Sequence, residues 1–444
     1  MMHGRWLLDF SPMGENRQGH STGGIKTAVA GLFLVLGLLQ GAVQAETSFS
    51  LTGYYKNFFV VFDPPNTDHP SFFTSPEEPM GMVSSRLRLN IFCNPKEWLS
   101  FSLSYNILPR IQDPELFEGS LAVVQVNLFQ YRFDDIRRQL YPAGGEPRSF
   151  AVFQNLDRAF LTIRTGPADI FIGRQAIAWG SARVINPTDI VAPFSFEELD
   201  IEDRVGVDAL RIRVPLGFMG EWDTGYILGE DFKLKNSAFY VRGKFYAAKT
   251  DLSFLLMEFQ ENLMLGWDVA RSLGGAGFWF EGAFVLVSAF GDNGEDEESR
   301  YIRATVGLDY SFSGKTYGFL EYHFSTAGTA KPEDYLQNIF KPGRLEGAVY
   351  LMGRHYLIPG LTYQITPLIV FSGQALFNLS DISLFLAPQV EYNISPNIYL
   401  SAGAFIGMGK RPEINDRDGT VNRIFRSEFG GYPDMYFSSF RIYF

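Results

Sequence analysis

Apolar and polar residues alternate with a period of two along most of the chain, as in a strand with one face in an apolar medium and the other in water. The alternation recurs in short segments bounded by turn residues. They predict strands at 48–62, 82–93, 98–108, 156–165, 169–180, 205–214, 220–229, 237–248, 251–260, 263–271, 277–289, 300–312, 316–326, 348–358, the later part of 362–377, 383–394, 398–408 and 435–444. The connections sort by length. Asn94-Pro95-Lys96-Glu97, Gly166-Pro167-Ala168, Ser313-Gly314-Lys315 and Ser395-Pro396-Asn397 read as tight turns, whereas 63–81, 109–155, 181–204, 290–299, 327–346 and 409–434 are longer and polar. The fold expected is all-β: a transmembrane antiparallel up-and-down β-barrel of about 18 strands, or about 16, with turns in the periplasm and loops outside the cell. A sandwich or propeller would not sort its loops so regularly, and no fixed-period repeat supports a propeller.

Parity assigns the faces, because a charge facing hydrocarbon costs about 2–4 kcal/mol at mid-depth. Val83, Leu87, Leu89 and Ile91 share one face and Arg86, Arg88 and Asn90 the other, so the arginines are expected in the lumen. By the same rule Arg158 and Arg164 turn inward against Ala159, Leu161 and Ile163, and Arg211 and Arg213 against Leu210 and Ile212. Arg174 is assigned inward by charge alone. In the second half the inward candidates are mostly acidic: Glu258, Asp268, Glu281, Asp309, Glu321 and Glu391, with Arg303 and Arg354 as exceptions. Asp208 departs from the pattern of the first half. The expected pore is therefore basic on one wall and acidic on the facing wall.

The two ends fit this picture. Met435 to Phe444 is an alternating strand that stops on an aromatic residue, and it resembles the C-terminal assembly signal of Gram-negative outer-membrane β-barrels. At the other end, Lys26, the apolar run Ala28 to Val43 and the small residues of Val43-Gln44-Ala45 read as a signal peptide with an N-terminal extension, residues 1–45, leaving 46–444 as the barrel. The run is short and interrupted by Gly31, Gly37, Gln40 and Gly41, whereas a spanning helix needs about 20 apolar residues.

Composition adds limits. Aromatic residues make up 16% of the chain and the mean hydropathy is -0.02, a pairing that suits a barrel, whose alternation hides its apolar face from any averaging window. A net charge of -11 argues against nucleic acid as a partner. With Cys93 alone, no internal disulfide forms. No His or Cys pair has metal-ligand spacing, so neither metal nor cofactor is expected. His323 shares its parity with Glu321 and Ser325, but a lumen position suits a pore wall better than catalysis on lipid, and no enzyme is expected. The acidic run Asp292 to Glu298 reads as a solvated outer loop.

Gly173-Arg174-Gln175-Ala176-Ile177-Ala178-Trp179-Gly180, followed by Asn186-Pro187-Thr188-Asp189, is the strongest local motif. It resembles a stretch of porin-like outer-membrane proteins and, more loosely, of alginate-export barrels, in which a Gly-Arg-Gln strand contributes to a basic lumen. Gly353-Arg354-His355-Tyr356-Leu357 through Asn378-Leu379 carries the likeness more weakly. The loop after the motif bears Asp189, Glu197, Glu198, Asp200, Glu202 and Asp203 beside Ile190, Val191, Phe194 and Phe196, and reads either as a constriction loop folded into the barrel or as a solvated loop. The expected function is an outer-membrane porin for passive diffusion of ions or small hydrophilic solutes. The alternatives are a barrel scaffold sheathing a periplasmic partner, as in porin–cytochrome conduits, and an export channel for an anionic polysaccharide. Expected partners are outer-membrane lipid, lipopolysaccharide, the barrel assembly machinery and either a periplasmic protein or further copies of the chain.

Overall fold

The computed structural model describes residues 48–64, 78–114, 116, 130–146, 148–194, 196, 198–217, 219–291, 300–341, 343–417 and 420–444. The expected signal peptide, Glu197 and the acidic run Asp292 to Glu298 lie outside the described residues.

Eighteen antiparallel strands close into a barrel. They are β1 (Ser48–Asp63), β2 (Met80–Lys96), β3 (Leu99–Gln112), β4 (Phe150–Arg164), β5 (Asp169–Gln175), β6 (Val207–Leu216), β7 (Gly220–Ile227), β8 (Ala238–Ala247) and β9 (Thr250–Phe259). The second half comprises β10 (Asn262–Leu273), β11 (Ala276–Leu286), β12 (Arg300–Ser313), β13 (Thr316–Ser325), β14 (His355–Thr366), β15 (Ile369–Asn378), β16 (Ser383–Ser395), β17 (Ile398–Met408) and β18 (Asp434–Tyr443). Each strand pairs with its sequence neighbours, and β18 pairs with β1 from Tyr54↔Tyr443 to Asp63↔Asp434, which closes the ring. Closure pairs the first strand with the last, as a sheet in hydrocarbon requires. Tight turns and both ends of the barrel chain share one rim. Most connections at the other rim are long, so the inner and outer ends follow the expected sorting.

Outward positions are apolar and exposed: Phe254, Leu256 and Leu265 on β9 and β10, Leu308 on β12, Leu320 on β13, and Tyr436 on β18. Their alternates are buried, as Ser253, Leu255 and Met257 show on β9. A barrel with an apolar exterior is the architecture that bacterial outer membranes hold.

The seam is tight where the chain ends. Gly53 N–H donates to the Phe444 carbonyl at 2.8 Å and Phe444 N–H to the Gly53 carbonyl at 2.9 Å, extending the β1–β18 ladder to the last residue. A Cβ at Gly53 would lie 2.3 Å from the Arg88 carbonyl oxygen and 2.9 Å from the Phe444 ring. Only glycine fits there.

β4 begins at Phe150 rather than at 156, and two further strands differ from the sequence reading. The first is the strand expected at 348–358, where the wall begins only at His355. Ala348, Val349, Tyr350, Leu351 and Met352 instead form a loop segment buried inside the barrel, apolar on every side and hence without alternation. The other is β5, which stops at Gln175 rather than 180 because the chain leaves the wall there. The gap beyond it is filled by the loop between β3 and β4, whose short strand Gln139–Tyr141 pairs with Val152 and Phe153 of β4. The same loop reaches β6, where Asp208 N–H donates to the Tyr131 carbonyl at 3.0 Å and Phe133 N–H to Asp208 Oδ2 at 3.2 Å.

The loops do not stand clear of the barrel. One buried cluster joins Tyr131, Ile177, Trp179, Ile190 and Val191 to the inner faces of β6 to β12. A second joins Ile185, Phe196, Tyr350, Leu351, Phe429 and Tyr432 to β14 to β18 and Val60 of β1. Near the outer rim, therefore, the inner face of the wall is apolar too. At the seam, Gly53→Val is expected to destabilise the barrel by about 1–3 kcal/mol through overpacking, read as a lower urea midpoint for loss of heat-modifiable mobility in gels.

Candidate functional site

After Gln175 the chain turns into the barrel, and residues 176–206 cross its interior before β6 begins. Backbone N–H groups in an irregular segment away from bulk water need acceptors. Two carboxylates of the far wall supply them. Glu281 on β11 accepts Ser181 N–H and Ala182 N–H on Oε2, each at 3.1 Å, and Thr188 N–H at 2.9 Å and Thr188 Oγ1 at 2.7 Å on Oε1. Glu321 on β13 accepts Val184 N–H at 3.0 Å, Trp279 Nε1–H at 2.9 Å and Arg183 N–H. Gly180, with φ of 106°, makes the approach feasible, since a Cβ there would sit 2.6 Å from both Glu281 carboxylate oxygens. Neighbouring wall groups add to the hold: Asp268 accepts from Ser181 Oγ at 2.9 Å, Asp309 pairs with Arg183 at 2.7 Å, and Thr305 Oγ1 donates to the Ile185 carbonyl at 2.9 Å.

The return arm carries its own carboxylates to the opposite wall. Asp200 bonds Lys56 of β1 at 2.7 Å and Arg86 of β2 at 2.9 Å. Glu202 bonds Lys56 at 2.6 Å and accepts from Tyr443 of β18 at 2.6 Å. Asp203 accepts from Tyr54 Oη at 2.7 Å and lies 3.5 Å from Arg88. Within the loop Asp189 pairs with Arg204, while burial pushes its carboxyl up to about 6 against the pull of that guanidinium. Glu198 is half-buried between these contacts. The loop is thus tied to both sides of the barrel, by hydrogen bonds to backbone on the acidic side and by ion pairs on the basic side.

The expected pore residues fall into three groups. Arg86, Arg88, Arg158, Glu281 and Glu321 come together around the loop, and Arg88 and Arg158 share Asp157 at 2.8 Å and 2.7 Å. Arg211 and Arg213 line the inner face of β6 and are matched on β7, by Asp223 at 2.6 Å and by Glu221, so this basic wall is neutralised within itself. Arg164, Arg174 and Glu258 stand apart. Arg164 is exposed at the inner rim and donates to the Glu97 carbonyl at 3.2 Å. Arg174 lies opposite Ala159 and Asp208, in the parity of the outward Ile172 and Leu210, and is covered by the loop that fills the wall gap. Its guanidinium bonds Asp208 at 2.7 Å, Asp135 at 2.7 Å and the Asp134 and Leu156 carbonyls, each at 3.0 Å. Glu258 shares the outward parity of Phe254 and Leu256 at the outer end of β9, because Leu255, Met257 and Phe259 point inward into the first apolar cluster.

Three contributors escaped the sequence reading. Lys56 sits inward on β1 and is inaccessible to solvent, but the apolar residues around it gave no charged stripe. Asp157 points inward beside Arg158 because a bulge opposite Ser104 and Tyr105 inserts it into β4. Two adjacent charges of opposite sign were the available signal. Asp223 lay in a strand recognised as such but was not weighed as a partner for Arg211.

Below the loop lies a cavity of about 530 Å³, lined on one side by Arg183, Phe194, Phe196 and Arg204 and on the wall side by Thr362, Ser372, Gln374 and Gln389 beside Phe319, Ala387, Phe405 and Phe437. At the outer end three connections meet on Glu428, which accepts from Met352 N–H at 2.9 Å, Asn378 Nδ2 at 2.7 Å and Tyr356 Oη. Asp381 accepts from Glu428 N–H at 2.6 Å and Tyr335 Oη at 2.8 Å. Glu428 is raised to about 8, chiefly by burial, with the hydrogen bonds from Tyr356, Met352 and Asn378 opposing the rise and the nearby Asp381 charge adding to it. Among the described residues, no group of three or more His, Cys, Asp or Glu is placed to hold a metal ion.

No family model matches the chain, and no curated protein matches it by sequence. Solved structures do. Acinetobacter baumannii OccAB3 superposes with a TM-score of 0.52 at 10% identity over 89% of this chain and 99% of that one. Pseudomonas aeruginosa OccK8 (OprE) gives 0.52 at 9% identity over 89% and 98%. The outer-membrane protein OprD of P. aeruginosa gives 0.51 at 8% identity over 91% and 96%. At such identities the likeness is one of fold, that of the Gram-negative outer-membrane porin-like barrels.

Glu281→Ala would leave the buried N–H groups of Ser181, Ala182 and Thr188 without their acceptor, at roughly 1–3 kcal/mol for each group. Hydrogen exchange of 181–188 is expected to accelerate at least about tenfold while the barrel strands stay protected. Glu428 predicts a pH response of the outer loops. A folded-state pKa raised to about 8 contributes stability that is complete below the ordinary carboxylate range and lost as pH rises through 8. The opening free energy of 425–432, from exchange rates corrected for their intrinsic pH dependence, should therefore fall between about pH 5 and 8, and Glu428→Gln should remove that fall.

Proposed function

We propose that this protein is an outer-membrane channel for passive diffusion of ions or small hydrophilic solutes, with residues 176–206 as its constriction. One observation carries the reading: a loop secured at both ends across the interior of an 18-strand barrel, by Glu281 and Glu321 on one side and by Lys56, Arg86 and Arg88 on the other. A barrel of this strand number is wide enough to hold an aqueous lumen, and an inward loop narrows it to solute size. In this reading the ion pairs of Asp200 and Glu202 are struts that fix the width. Solutes pass beside them, between the loop edge at Arg183, Phe194 and Arg204 and the amides and hydroxyls of the wall, driven only by their gradient. The expected scaffold role and polysaccharide export are the alternatives, and nothing in the site favours either.

The test is single-channel recording of the refolded chain 46–444 in a planar bilayer under a salt gradient. An open conductance is expected, rising about twofold or more when 194–203 are deleted. In Asp200→Ala with Glu202→Ala, the released charges of Lys56 and Arg86 should move the reversal potential toward anion preference. A barrel that inserts, retains heat-modifiable mobility and never conducts would overturn the channel and point to a lumen that serves a partner.

A further inference from the structure

We propose that the outer rim carries a binding site for the phosphate of an outer-leaflet lipid headgroup, built by the loop between β13 and β14. A pocket of about 440 Å³ opens there, lined by Lys331, Lys341, Arg344 and Arg354 with Asp334 as its one carboxylate. Four cations around one concave site focus a positive potential that attracts an anion. Two of them are positioned by backbone. Arg344 is almost wholly buried and donates to the Ala327 carbonyl, which also accepts Asn338 Nδ2 at 2.6 Å. Arg354 donates through Nε to the Gly328 carbonyl at 3.0 Å, and its N–H bonds Ser380 Oγ at 3.1 Å. The Arg354 guanidinium, exposed and held through Nε, presents a planar fork suited to phosphate oxygens.

The height of the pocket identifies the source of the phosphate. On the outward face just below it, Tyr322 and His355 are joined by a hydrogen bond of 2.7 Å between Oη and Nδ1, and the rings of Phe324 and His355 lie 5.2 Å apart. Such an aromatic group marks the headgroup boundary of a barrel. Thr326, which lines the pocket, is exposed at the next outward position above Phe324, about 7 Å higher at the rise of a strand. A lipid whose chains run down over Leu320, itself 49% exposed, would bring its phosphate to this level. The favoured ligand is a phosphorylated glycolipid of the lipid A type.

The experiment titrates the full mature barrel in detergent with bisphosphorylated lipid A and with its dephosphorylated counterpart, then repeats both with K331Q/K341Q and with R354Q. Retained heat-modifiable mobility verifies folding of each variant. The phosphorylated lipid is expected to bind about tenfold more tightly or better, and that preference should shrink to near unity in K331Q/K341Q and weaken in R354Q. Equal binding of the two lipids by the unaltered barrel would overturn the site without recourse to a variant. So would a preference that survives in both folded variants. Displacement of the lipid by equimolar inorganic pyrophosphate would overturn the lipid assignment in favour of a soluble phosphate.

Discussion

A carboxylate aimed at a row of backbone N–H groups is the interaction on which the interior depends. Glu281 takes four donors and Glu321 two from residues 181–188, a stretch that has left the wall and has no strand partner. Charge-assisted bonds of this kind are about twice as strong as neutral ones. They also explain why side chains of the loop are free to make ion pairs on the opposite wall, because its backbone is already satisfied. Removing them would leave the struts at Lys56 and Arg86 attached to a segment without an anchor.

With the backbone secured, the loop presents apolar residues as well as charges. Trp179, Ile190 and Phe196 pack on wall residues such as Tyr240, Met257 and Phe385, and the other outer loops bring Tyr350, Phe429 and Tyr432 to the same clusters. The barrel is thus two-layered near its outer rim, with lipid against one face and a small hydrophobic core against the other. Toward the inner rim the lumen face becomes polar, through Thr362, Ser372, Gln374 and Gln389.

This layering decides what could be read in the chain. Strand number, the sorting of turns and loops, and the closing strand were legible because they depend on alternation and turn chemistry alone. The inward faces of Arg86, Arg88, Glu281 and Glu321 were legible because their strands alternate cleanly at mid-depth. Where both faces are apolar the rule inverts or fails. Glu258 was turned inward on the premise that charge seeks the lumen, yet at the rim water lies outside and the core lies within. For the same reason the apolar run 348–352 passed for a strand. Lys56 and Asp157 were missed since a lone lysine among aromatic residues, and a bulge, leave no periodic mark. What Arg174 does depends on a loop some 40 residues away in sequence, which no local pattern reveals.

The shortness of β5 bears on how the wall is completed. Beyond Gln175 the edge of β4 has no hairpin partner and relies on Gln139–Tyr141, from the loop that precedes β4, for its hydrogen bonds. An unpaired edge is tolerable in the periplasm and prohibitive in hydrocarbon. Folding of that loop onto β4 and β6 is therefore part of completing the wall. Continuity of the wall is here a product of tertiary assembly, and the Arg174 guanidinium, which gathers Asp208, Asp135 and two carbonyls, is the latch that completes it.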